Sequence, residues 1–146
     1  MPKKLFTVGY EGRDIDSFIA VLKNNLINCV LDVRQMPLSH KPSFSKSCLE
    51  EKLAQKDIMY VHLKELGSPK LLRESLKSTG DYSTFFEKMD EYLETQNQAI
   101  ERAYKYVKDK TCCLLCFEHL SADCHRKIVA RKIKEIDGNG LQINHI

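Results

Sequence analysis

The chain has 146 residues, 42% of them hydrophobic and 29% charged, which suits one domain around one core and excludes a disordered chain. Lys and Arg outnumber Asp and Glu by 23 to 20, so overall charge singles out neither nucleic acid nor a membrane surface as a partner. The longest apolar run, Cys112 to Phe117, falls far short of a membrane span, and the first thirty residues mix Lys, Glu, Arg and Asp without a secretory apolar segment, so a soluble cytoplasmic protein is expected.

Leu5-Phe6-Thr7-Val8 reads as a first strand, closing at Gly9-Tyr10-Glu11-Gly12. Asp14 can then cap a helix whose Ile15, Phe18, Ile19 and Leu22 share one face. Cys29 to Val33 is apolar except for Asp32, the pattern of a strand buried on both faces, and it stops at Arg34. Pro37 and Pro42 force irregular backbone after it, and Ser45 looks like the cap of a helix carrying Leu49 and Leu53.

Ile58 to Leu63 is the third strand, closing at Leu66-Gly67. Residues 68 to 81 are polar, contain Pro69 and Gly80, and read as a long connection with one helical turn. From Tyr82 to Val107 the residues Phe85, Met89, Leu93, Ile100, Ala103 and Val107 keep a helical stripe that only Gln96 breaks, so one long helix is predicted. Cys112 to Phe117 is the most apolar strand and the candidate centre of the sheet. A last helix carries Ile128, Val129, Ile133 and Ile136 and stops at Gly138, and Leu141 to Ile146 is an edge strand. Strands alternating with helices predict an α/β fold over residues 1–146, a single three-layer sandwich with a mostly parallel central sheet of about five strands.

Ligands of such sheets bind beyond the carboxyl ends of the strands. Here those ends carry Tyr10, Arg34, Leu66-Gly67 and Cys116-Phe117-Glu118. A helix is expected to start near Ser121 or Asp123, with Cys124, His125 and Arg126 in its first turn. Such a start favours anions and lowers a thiol's pKa. Three chemistries fit these residue types. Arg34 and Arg126, with Tyr10, can hold an anion. Cys116 or Cys124 can be a nucleophile, with Glu118 or His125 moving protons. Cys116, Cys124 and His125 can ligate zinc with Glu118 as a fourth ligand or base, although the C-x7-C-H spacing matches no standard zinc motif. A plain structural reading, with Cys116 and Cys124 in the core and Arg126 paired to Glu118, competes with all three.

Asp32 inside an apolar strand needs a partner, and orienting Arg34 or the helix of Arg126 is its expected role. The six cysteines lie within apparent strands or helices of a chain large enough to fold without staples, so reduced thiols are expected. Gly9-Tyr-Glu-Gly12 lacks the dinucleotide spacing, no Walker loop is present, and Ala122 stands where a cysteine phosphatase needs Arg.

Taken together, Thr7-Val8-Gly9-Tyr10, Asp32-Val33-Arg34-x-x-Pro37-x-Ser39, Pro42-x-Phe44-Ser45, Tyr60 with Leu66-Gly67, Leu115-Cys116-Phe117-Glu118, Cys124-His125-Arg126 and His145-Ile146 resemble the uncharacterised family called domain of unknown function 488. His40 and Ser68 depart from its pattern, which more often has Arg and a second Gly there. The resemblance implies an α/β fold and a shared site of Tyr10, Arg34, Cys116, Glu118, Cys124, His125 and Arg126, and it supplies no activity. The leading expectation is an enzyme acting on an anionic small molecule or nucleic-acid component, without a cofactor. The alternatives are a non-catalytic module for a phosphorylated ligand or nucleic acid, and a zinc protein. Lys41, Lys46, Lys127, Arg131 and Lys132 offer further positive charge. Nothing in the pattern sets an oligomeric state.

Overall fold

The structure is a computed structural model that describes residues 3–118 and 124–146. Five strands form one all-parallel sheet in the order β3-β2-β4-β1-β5. They are β1 (Lys4–Gly9), β2 (Cys29–Asp32), β3 (Met59–His62), β4 (Cys112–Cys116) and β5 (Gln142–His145). Every residue of β2 and β4 is buried, as expected of strands whose apolar runs do not alternate. The most apolar run is the central strand, and the last run is an edge strand.

Alternate residues divide the core in two. Leu5, Leu31, Val33 and Leu114 face one side of the sheet, where helices α4 (Tyr82–Glu94), α5 (Asn97–Asp109) and α6 (Arg126–Asp137) pack. Phe6, Val8, Val30 and Leu115 face the other side, against α1 (Ile15–Asn24) and α2 (Lys46–Ala54). The result is the three-layer α/β sandwich. Burying each large apolar side chain contributes roughly 1.5–3 kcal/mol, and α4 alone buries Phe85, Met89 and Leu93 at four-residue spacing.

Local signals explain most boundaries. The Asp14 carboxylate accepts the Ser17 N–H at 2.7 Å and caps α1. Gly138 ends α6 in the left-handed region, with φ 62°. Ser45 does precede α2, but its side chain makes no cap bond. Its hydroxyl accepts from the Ser39 N–H at 3.1 Å instead, pinning the loop after β2.

Two expectations are corrected. The segment from Tyr82 to Val107 is two helices, because the chain turns at Thr95 and Gln96, where the apolar stripe lapsed. Residues 68–81 hold a helix of ten residues, α3 (Lys70–Thr79), rather than a connection with one turn. Pro69 and Gly80 flank this helix as its start and stop. None of its residues is fully buried, so it has few anchors and stands at the low-stability end of the fold. No helix among the described residues is long and apolar enough to cross a membrane.

Candidate functional site

A cavity of about 620 Å³ opens at the carboxyl ends of β1, β2 and β4. Its lining includes Tyr10, Arg34, Lys41, Arg73, Glu118 and His125. The sheet order explains the location: β4 separates β1 from β2, so the crossover from β1 to β2 leaves a crevice above the end of β4.

The wall on the β2 side is a closed polar network. Asp32 is fully buried and receives Arg34 through both carboxylate oxygens, Nε to Oδ1 at 2.8 Å and Nη2 to Oδ2 at 2.7 Å. The Arg34 backbone N–H also donates to Oδ1. Arg34 Nη1 donates to the Phe44 carbonyl at 2.8 Å and reaches the Tyr10 hydroxyl at 3.4 Å. The Tyr60 hydroxyl donates to Asp32 Oδ2. Burial opposes the charge of Arg34, yet the adjoining Asp32 carboxylate raises its pKa overall. Burial and the same carboxylate push the Tyr60 hydroxyl up, so it stays protonated as a donor. Asp32 therefore orients Arg34, and the guanidinium is committed to protein acceptors.

Tyr10 stacks on Phe44 with ring centroids 4.5 Å apart and meets the edge of Phe117 at 5.3 Å. Phe117, Met36 and Leu38 are 45%, 55% and 69% exposed and give the cavity an apolar rim. Gly67 closes the β3 side. A Cβ there would lie 2.1 Å from the Gln35 nitrogen, so only glycine lets the two backbones pass this closely.

The chemical corner lies at the end of β4. Cys116 and Cys124 are joined as a disulfide, with Cα atoms 7.3 Å apart, whereas reduced thiols were expected. The end of β4 and the approach to α6 face each other here, a proximity that sequence spacing does not reveal. Cys29, Cys48, Cys112 and Cys113 are free thiols. Burial pushes the Cys113 thiol well above its usual range, which makes it inert.

Glu118 Oε2 lies 2.9 Å from Cys116 Sγ. His125 Nδ1 lies 3.9 Å from Cys116 Sγ and 3.8 Å from Cys124 Sγ, and its Nε2 is 2.8 Å from the Val33 carbonyl. A carbonyl only accepts, so Nε2 carries the proton and Nδ1 presents a lone pair to the sulfurs. Burial pushes the pKa of His125 down to about 4, so the ring is neutral near pH 7.

The helix start differs from expectation. Among the described residues α6 begins at Arg126, with His125 at the cap position and Cys124 before it. The expected start at Ser121 or Asp123 lies outside the described residues. Arg126 N–H points to Cys124 Sγ at 3.5 Å. The Arg126 guanidinium is completely buried, donating to Thr7 Oγ1 at 3.2 Å and to the Glu118 carbonyl. Burial lowers its pKa. It ties β1 to the end of β4 and does not line the cavity.

Of the expected site residues, Tyr10, Arg34, Cys116, Glu118 and His125 line the cavity, Cys124 lies directly behind them, and Arg126 braces the corner from beneath. Sequence reasoning missed Arg73, which donates through Nη1 to Gln35 Oε1 at 2.7 Å and to the Ser68 carbonyl. The signal was present in Leu71, Leu72 and Leu76 between Pro69 and Gly80, a short helix that brings Arg73 over the end of β2. Lys41, noted only as a source of charge, lines the cavity and donates to the Arg13 carbonyl at 2.8 Å.

Neither a curated protein nor a solved structure matches the chain. The family model described as Domain of unknown function DUF488 matches residues 14–133, which include Asp32, Arg34, Tyr60, Glu118 and Cys124-His125-Arg126. Residues 14–133 are most of the chain, and this protein belongs to that family.

Proposed function

We propose that the cavity is the active site of an enzyme acting on a phosphate-bearing substrate, a nucleotide or a component of nucleic acid. The observation that carries this reading is the convergence of Cys116, Glu118 and His125 in a cavity whose lining also includes the cations Lys41 and Arg73. The cavity volume lies within the roughly 300–1,000 Å³ common to small-molecule sites. The anion contact belongs to Lys41 and Arg73 rather than to Arg34, whose charge is met by the Asp32 carboxylate, or Arg126, which does not line the cavity. The exposed ring of Phe117, beside Met36 and Leu38, offers a face on which a base can stack. Glu118 is the proton acceptor for the attacking group. His125, neutral and held by the Val33 carbonyl, keeps that corner fixed without adding a positive charge of its own.

The test is calorimetric titration of wild-type protein with inorganic phosphate and with mononucleotides, followed by assay of each binder for turnover. Binding that weakens at least tenfold in Arg73→Ala and in Lys41→Ala, with turnover abolished in Glu118→Gln, supports the enzyme. Binding without turnover would convert the reading to a non-catalytic module for phosphorylated ligands. No response to any phosphate compound would end both readings.

A further inference from the structure

We infer that Cys116, Cys124 and His125, once the disulfide is reduced, form a site for a divalent ion of the zinc class, with Glu118 beside it. The inference concerns the same corner as the enzyme proposal and stands or falls independently of it.

Three donor atoms are already gathered. Cys116 Sγ, Cys124 Sγ and His125 Nδ1 all lie within 4.8 Å of one another. A tetrahedral ion with Zn–S near 2.3 Å and Zn–N near 2.0–2.1 Å needs a sulfur-to-nitrogen edge of about 3.6 Å. The imidazole nitrogen stands 3.9 and 3.8 Å from the two sulfurs, close to that edge on both sides. Reduction frees the sulfurs to part and share a third atom.

The tautomer points the same way. Nε2–H donates to the Val33 carbonyl, which leaves Nδ1 as a bare donor atom aimed at the sulfurs. A backbone carbonyl behind a ligating histidine is the usual outer support of a metal site, fixing both tautomer and ring orientation. All three residues are buried, and two thiolates neutralise a divalent cation without leaving net charge in the interior. Two sulfurs and an imidazole select zinc-like ions and reject calcium and magnesium, which require oxygen ligands. Glu118 Oε2, 2.9 Å from Cys116 Sγ, is in reach of a fourth position, as an oxygen ligand or as acceptor for a bound water.

The experiment uses the full chain without a histidine tag, reduced and then loaded with Co(II) or Zn(II). We expect one equivalent per chain and a thiolate-to-cobalt charge-transfer band with tetrahedral d–d absorption. Cys124→Ser should lose the band, and affinity should fall by more than the roughly 10–100-fold that losing an outer partner costs. Glu118→Gln should keep the band, since both sulfurs and the imidazole remain. Should Cys124→Ser fail to fold, alkylation of the reduced wild type replaces it. Zinc should then protect Cys116 and Cys124 while the half-exposed Cys48 is labelled regardless. Absence of the band in reduced wild type, alkylation of Cys116 and Cys124 unaffected by zinc, or equal binding by Cys124→Ser would overturn the inference. Phosphate binding through Arg73 is read separately, so the two proposals can fail apart.

Discussion

Asp32, fully buried, holds Arg34 with both carboxylate oxygens, at 2.8 and 2.7 Å. Removing one partner of a buried ion pair strands the other charge, at a cost of about 3–5 kcal/mol. Asp32→Ala is therefore expected to lose stability of that order in urea denaturation. Arg34→Lys should also be poorly tolerated, because an ammonium cannot reproduce the two-pronged contact. A loss below about 1 kcal/mol in Asp32→Ala would show that the pair does not hold the wall.

Gly67 lies so close to Gln35 that an added methyl group must displace backbone, not a flexible side chain. Gly67→Ala is expected to cost about 1–3 kcal/mol, the range for overpacking, and to weaken ligand binding with it. Denaturation and calorimetry on the same variant check both effects. Wild-type stability would refute the close approach.

Under the proposed function, Phe117 would contact the base of a substrate and not its phosphate. If a base lies on its exposed ring, Phe117→Ala should weaken mononucleotide binding by about 1–3 kcal/mol and leave inorganic phosphate unaffected. Equal loss for both ligands would mean that the ring shapes the cavity rather than receiving a base.

The oxidised, metal-free protein should lose stability on mild acidification because of His125. Its pKa is about 4 when folded against an ordinary 6.5, so between these values the unfolded chain binds more protons. The contribution is complete above pH 6.5, falls as pH drops, and is gone below about 4, on the order of 3 kcal/mol in all. Subtracting the pH profile of His125→Gln removes what carboxylates contribute to both proteins. Parallel profiles between pH 4 and 6.5 would contradict a buried neutral ring.

The sequence exposed the sheet better than the site. Runs such as Cys112 to Phe117 announce a doubly covered strand because no polar face interrupts them. Asp14 and Gly138 announce helix ends through their own chemistry. The long helix failed at Gln96 because one lapse in a stripe weighs little against the residues around it. The helix α3 was obscured because its segment is mostly polar and lies between Pro69 and Gly80, which read as loop residues, although Leu72 and Leu76 stand one turn apart. At the site, strand-end position identified Tyr10, Arg34, Cys116 and Glu118. It could not tell that Arg34 folds back onto Asp32, since period-two geometry gives a shared face and not a side-chain path. Nor could it pair Cys116 with Cys124, because spacing along the chain does not say which side chains meet.

The strand order also governs when the site can exist during synthesis. β1 bonds only to β4 and β5, and β2 only to β3 and β4. A nascent chain that has not yet produced Cys112 has one strand pair, β2 with β3, and an unpartnered β1. Tyr10 and Arg34 become neighbours only when the central strand inserts between their strands and closes the sheet. Such dependence on distant partners makes for slow, all-at-once folding, and no truncated fragment lacking β4 can carry a partial cavity.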